Sequence, residues 1–167
     1  MDHATARQGR LLDTIGFQTY GLGPEWQGPR TLGSLTVYEE KVQIVGLVHG
    51  SPRAGIGSQI RVESYADGML DPPEKRAAEA LARLRTLVQL YAKSAPAAAG
   101  DPSPREVRIG VESRVVTFSA LADGPLWAAT ARDPDVTVTI LAVDADLDDV
   151  RLVLVDPHEY LAGLRAL

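Results

Sequence analysis

Cysteine is absent from this chain of 167 residues. Without thiols the chain can form no disulfide, no thiolate zinc site and no cysteine nucleophile, and the composition is compatible with a reducing cytoplasm. No run of about 18 apolar residues occurs, which excludes a helix that crosses a membrane. Residues 1–13 lack the apolar segment of a signal peptide. We therefore expect a cytoplasmic protein without a membrane partner.

Concentrated basic charge is also missing. The net charge is −5, and residues 101–167 carry 6 Arg against 12 Asp and Glu. Binding to phosphates needs a concentrated basic surface, so we expect no nucleic-acid partner. Aromatic residues make up 5% of the chain, too few for a surface that stacks single-stranded bases.

The residues that are present predict a globular chain. Hydrophobic residues make up 45% and charged residues 23%, and a bias towards alanine, arginine and proline is typical of a high-GC bacterial genome. We assign residues 1–30 to an N-terminal arm of uncertain structure and residues 31–167 to a single α+β domain. A loop rich in proline and alanine interrupts this domain at residues 95–104.

Alternation of apolar and polar residues predicts strands in both halves of the chain. Ile60 and Val62 alternate with Arg61 and Glu63, which is typical of a half-buried antiparallel strand whose polar face is wet. Asp123-Gly124 is the strongest hairpin signal. Short turns of this kind favour an antiparallel sheet of about 7–8 strands, in one piece or in two subsheets.

Two segments predict helices. Asp71-Pro72-Pro73-Glu74 combines a capping aspartate with prolines suited to a first turn, and apolar residues then recur at helical spacing as far as Tyr91. The same combination of a capping aspartate and a proline recurs at Asp156-Pro157, before a shorter apolar stripe that predicts a second helix. The predicted fold class is therefore α+β, an antiparallel sheet covered by one long central helix and a short C-terminal helix.

The loop from His49 to Ser58 carries the nearest approach to a recognised chemistry. Gly50 and Gly55 have the spacing of the outer glycines of a phosphate-binding P-loop, but Ile56 and Gly57 stand where lysine and serine or threonine are required. The dinucleotide-binding pattern also fails, because Ile60 occupies the position of its third glycine and a strand follows the loop.

An anion nest is the function that remains open to this loop. Successive backbone amides in a glycine-rich turn can hold an anion. The candidate ligand-binding residues are His49, Arg53, Gly55, Gly57 and Ser58. The competing interpretation, which we favour, is an ordinary turn whose glycines supply positive φ angles.

Catalytic and metal-binding patterns are incomplete. His49 could serve as a base for a serine in the loop, but no orienting acid stands at a recognisable spacing and Gly-x-Ser-x-Gly is absent. The acidic run at residues 144–149 fails the calcium pattern, since Asp149 and Val155 occupy the positions of its glycine and its last glutamate. We assign no catalytic residue, no metal ligand and no cofactor.

The sequence favours a non-catalytic domain that binds a protein partner or a second copy of itself as a homodimer. Several strands have the alternation of exposed sheet elements, which can pair across a two-fold axis. The alternative is a binder of small anionic ligands, or a modest hydrolase, that uses the loop at residues 49–58.

Overall fold

The computed structural model describes residues 3–50, 59–66, 73–91, 102–133, 135–145 and 150–166. Its helices are α1 (His3–Leu12), α2 (Pro73–Tyr91) and a C-terminal 3₁₀ helix (Pro157–Ala166). Its strands are β1 (Tyr20–Leu22), β2 (Arg30–Tyr38), β3 (Lys41–Gly50), β4 (Gln59–Tyr65), β5 (Ser103–Val111), β6 (Arg114–Asp123), β7 (Leu126–Ala131), β8 (Val138–Val143) and β9 (Arg151–Leu154).

All nine strands belong to one sheet, in the order β1-β9-β5-β6-β7-β8-β4-β3-β2. Neighbouring strands are antiparallel except β5 and β9, which are parallel, so the sheet is mixed but rich in antiparallel pairs. Strands β1 and β2 are its two edges. The N-terminal segment therefore contributes an edge strand to the same sheet as the rest of the chain.

The sheet curls into a half-barrel, which brings β1 back against β3 and β4. Side chains hold this contact. The backbone N–H of Tyr20 donates to the Ser64 hydroxyl at 2.9 Å, and the backbone N–H of Leu22 donates to Nε2 of His49 at 3.2 Å. We call this junction of β1 with β3 and β4 the seam.

The predicted architecture, a sheet covered by one long central helix, is wrong. The structure is mostly sheet, and α2 packs mainly on β6, β7 and β8. The prediction assumed that helices must cover the apolar face of the sheet. A curled sheet instead buries much of its concave face against itself, so that strands from opposite sides form one apolar interior.

Strand β4 separates apolar from polar side chains between the two faces of the sheet. Neighbouring residues of a strand point to opposite faces. Ile60 and Val62 are fully buried in the concave core, together with residues from β1, β5, β6, β7, β8 and β9. Arg61 and Glu63 point to the convex face, where α2 lies. Two smaller apolar clusters complete the packing, one under α2 and one between β2–β3, α1 and the 3₁₀ helix.

Local signals predicted several elements correctly. The hairpin at Asp123-Gly124 joins β6 to β7, and Gly124 has the positive φ of 57° that this turn needs. Helix α2 begins at Pro73, after Asp71 and Pro72, which lie outside the described residues. The C-terminal helix is present as a 3₁₀ helix, and Asp156 accepts the backbone N–H of His158 at 3.0 Å.

The predicted loop at residues 95–104 lies outside the described residues up to residue 101, and its last two residues belong to β5. The acidic run is described only for Asp144 and Ala145. Within the described ranges, no helix has the length and apolar character needed to cross a membrane.

Candidate functional site

His49 is the one candidate ligand residue whose position the structure describes. It lies near the end of β3 on the concave face, and its side chain has no exposed surface. The other four candidates, Arg53, Gly55, Gly57 and Ser58, lie outside the described residues. The predicted loop site therefore stays a prediction, since four of its five residues lie outside the part of the chain that the structure describes.

The hydrogen bonds of His49 indicate which nitrogen of the neutral ring carries the proton. Nε2 lies 2.7 Å from the Tyr160 hydroxyl and 3.2 Å from the backbone nitrogen of Leu22. Because a backbone N–H can only donate, Nε2 must be the acceptor, and the neutral ring carries its proton on Nδ1. Burial lowers the pKa of His49 to about 4, helped by the positive charge of Arg30 and opposed by the backbone of Ile60. The imidazole is therefore neutral at physiological pH.

Glycine at position 21 permits this arrangement. A Cβ atom there would lie 2.3 Å from the Tyr160 hydroxyl and 3.3 Å from Nε2 of His49. The Tyr160 ring meets the imidazole edge to face, with centroids 5.4 Å apart. The 3₁₀ helix thus positions Tyr160, and the missing side chain at Gly21 of β1 leaves room for its hydroxyl. The contact between Tyr160 and His49 stabilises the seam. With Nε2 engaged twice, the geometry is that of a structural histidine.

A buried carboxylate occupies the convex face, and we call its surroundings the Glu63 network. Glu63 is 3% exposed, and Arg83 of α2 donates to both of its oxygens, at 2.7 and 3.2 Å. Arg61 donates to Oε2 at 3.2 Å, and the Tyr65 hydroxyl donates to Oε1 at 3.1 Å. The alternation along β4 predicts a wet surface for this strand face and gives no sign that α2 covers it.

The electrostatics of the Glu63 network favour a fixed ion cluster over a reactive acid. Burial alone would raise the pKa of Glu63, but the hydrogen bonds and charges of Arg83 and Arg61 outweigh it, and the pKa lies below its usual value. Burial and the Glu63 charge raise the pKa of Tyr65. An ionised carboxylate with both oxygens occupied has no lone pair directed at a substrate. The network ties α2 to β4.

Arg61 extends the network to β2 across two glycines. Its guanidinium donates to the Ser34 hydroxyl, and a Cβ at Gly46 or Gly33 would approach it to 2.7 or 2.9 Å. The arginine therefore covers strands β3 and β2 at positions where those strands have no side chains.

A groove runs along the other edge of the sheet, between α1 and β2, and we call it the edge groove. Its volume is about 350 Å³. Its lining residues are Ala4, Arg7, Gln8, Leu11, Leu32, Gly33, Ser34, Leu35 and Val37. No local sequence pattern shows that β2 is an edge or that α1 packs beside it, so this groove could not be predicted from the sequence.

The edge of β2 is open in the described structure. No described strand pairs with its outer side, so backbone groups along its nine residues face outward. Val37 and Tyr38, at its end, are 41% and 67% exposed. An extended chain placed there would continue the sheet and cover the edge groove.

A second cleft lies between α2 and strands β5 and β6, with a volume of about 340 Å³ and both arginine and apolar residues in its lining. No group of three metal-binding side chains occurs among the residues described. Comparison with known protein families, curated proteins and solved structures finds no significant match.

Proposed function

We propose that this chain is a non-catalytic cytoplasmic module that binds protein by accepting an extended strand at the β2 edge. The observation that carries the proposal is the combination of an open nine-residue edge strand and an apolar groove beside it. Main-chain hydrogen bonds then supply affinity and groove pockets supply selectivity, which is the physics of strand addition.

The chemistry of the edge supports this interpretation. Natural proteins protect free edges with charges, prolines, bulges or short strands. Of these devices β2 has a bulge at Gly33, but between Ser34 and Tyr38 it carries neither charge nor proline, and it ends in two exposed apolar side chains. Leu11, Leu32 and Leu35 form the apolar floor of the neighbouring groove. An incoming strand would bury these surfaces together.

The alternative function, an anion site on the loop at residues 49–58, gains no support from the described residues. Nε2 of His49 already accepts two hydrogen bonds in a fully buried position. The remaining residues of that site lie outside the described part of the chain.

Site-specific photo-crosslinking tests the proposal. A photoreactive amino acid replaces Tyr38 in the full chain expressed in its own cells, and a matched control places it at Val115, which is 58% exposed on β6. We expect adducts at position 38 whose crosslinked peptides map to one segment of a partner, and far fewer adducts at 115. A synthetic peptide of that segment should bind the purified protein and lose affinity when Val37→Lys is introduced.

Equal crosslinking at both positions would contradict the proposal. So would a captured segment whose binding is unaffected by Val37→Lys, because strand addition at this edge must cover Val37.

A further inference from the structure

We propose that the strand received at the β2 edge is β2 of a second copy of this chain, paired antiparallel about a two-fold axis at Leu35. This inference rests on the proposed function and names its partner. It follows from the side chains along β2, which provide both halves of a self-complementary surface.

The register follows from a bulge. The β2–β3 ladder passes from Leu32 opposite Leu47 to Ser34 opposite Gly46, which leaves Gly33 without a counterpart. With the axis at Leu35 and the bulge passed over, Val37 of each copy lies opposite Leu32 of the other. This pairing keeps each side chain on one face, since Leu32, Leu35 and Val37 lie opposite β3 residues that belong to one buried cluster, namely Leu47, Val45 and Val42.

The apolar surfaces match in this register. Val37 is 41% exposed in the single chain, whereas Leu32 lies at the groove floor beside Leu11 of α1. Each Val37 therefore enters the edge groove of the other copy. Tyr38, on the opposite face, lies against Thr31 of the other copy and is covered there.

The charges select the antiparallel direction. Arg30 begins β2 and Glu39 follows its end, so antiparallel pairing places these two positions opposite each other, while the Arg30 guanidinium stays bound to the carbonyls of Gly23 and Trp26 in its own chain. Parallel pairing would place arginine beside arginine and glutamate beside glutamate. Exposed charges of this kind interact weakly, so they favour one orientation while the apolar contacts supply the affinity.

Mass measurement of the purified full chain provides the first test. Sedimentation equilibrium from low to high protein concentration should show conversion from the 17.9 kDa chain to twice that mass. Val37→Lys should raise the dissociation constant by about tenfold or more, since it places an ammonium group in an apolar groove. The matched control Val115→Lys should leave it unchanged.

Cysteine substitution tests the register, because the natural chain has no cysteine and an introduced thiol is the only one present. Leu35→Cys on the two-fold axis should form an intermolecular disulfide under mild oxidation, since directly opposed residues lie within bridging distance. Tyr38→Cys should not, because its counterpart is Thr31. Circular dichroism shows whether each variant folds. If Leu35→Cys does not fold, the dissociation constant of Val37→Lys tests the proposal.

A chain that stays monomeric at every concentration overturns the inference. So does a dimer that is insensitive to Val37→Lys, or one that crosslinks through position 38 instead of 35. If the purified chain is monomeric while Tyr38 still captures a segment of another protein, the strand-addition function stands and only the self-pairing is refuted. If position 38 captures nothing, both fail.

Discussion

Lowering the pH should destabilise this protein in part through His49. The imidazole is fully buried, accepts two hydrogen bonds at Nε2 and is neutral in the folded chain, with a pKa of about 4. In the unfolded chain the same ring has a pKa near 6.5. The unfolded state therefore binds the proton more tightly, and protonation favours unfolding.

The sign and size follow from this difference. The contribution of a neutral His49 is fully present above pH 6.5 and is lost as the pH falls towards 4. The shift from 6.5 to about 4 corresponds to about 3 kcal/mol in the free energy of unfolding. That is a substantial part of the roughly 5–15 kcal/mol that is typical of native proteins.

Urea unfolding from pH 8 to pH 4, followed by the fluorescence of Trp26 and Trp127, measures the effect. The comparison is between the natural chain and His49→Gln, because carboxylates titrate equally in both and cancel in the difference. We expect the natural chain to be more stable at pH 8, and this advantage to shrink by about 3 kcal/mol at pH 4.

His158 provides a control of opposite sign. It lies 2.8 Å from Asp156 and 2.9 Å from Asp13, and its hydrogen bond with Asp156 raises its pKa. The contribution of His158 to the free energy of unfolding is present below the pKa of the ring in the unfolded chain, and it is lost as the pH rises through the pKa of the ring in the folded chain. The stability difference between the natural chain and His158→Gln should therefore grow towards low pH. A His49→Gln difference that stays constant from pH 8 to pH 4 would refute the assignment of a buried neutral imidazole.

Two further substitutions test the seam and the Glu63 network by the midpoint of urea unfolding. Gly21→Ala should destabilise by about 1–3 kcal/mol, because its Cβ displaces Tyr160 from the seam, whereas Gly16→Ala, with open space around it, should be nearly neutral. Glu63→Gln should cost about 2–3 kcal/mol, less than a fully buried pair, because Arg83 is 53% exposed and can be solvated. A neutral Gly21→Ala, or a Glu63→Gln variant as stable as the natural chain, would contradict these structural roles.

The sequence predicts those parts of the fold whose causes are local. Asp123-Gly124 specifies a hairpin turn by its own backbone preferences, and the prolines and apolar stripe of α2 act within one helix. Strand β1 is only three residues long and lies beside a glycine-rich connection. Its partner β9 is distant along the chain, so no local pattern reveals the pairing.

The candidate sites show the same difference between features with local causes and features that depend on distant parts of the chain. His49 continues the alternation of Val45 and Leu47, and this pattern is consistent with burial. The glycines that follow His49 instead suggest a ligand-binding loop. Arg61 and Glu63 were correctly placed on one polar face. That α2 covers this face, and that β2 is an edge, depend on tertiary packing that alternation does not encode.

The Arg61 side chain also bears on how this chain can change during evolution. A single arginine on β4 fills the volume above Gly33 and Gly46 on two other strands. None of the three positions can therefore accept a larger residue independently. A Cβ at position 33 would also lie 2.6 Å from a methyl group of Val48, and a Cβ at position 46 would lie 2.7 Å from the Ser34 hydroxyl. Related chains should therefore keep glycine at both positions unless several of these neighbouring side chains change together.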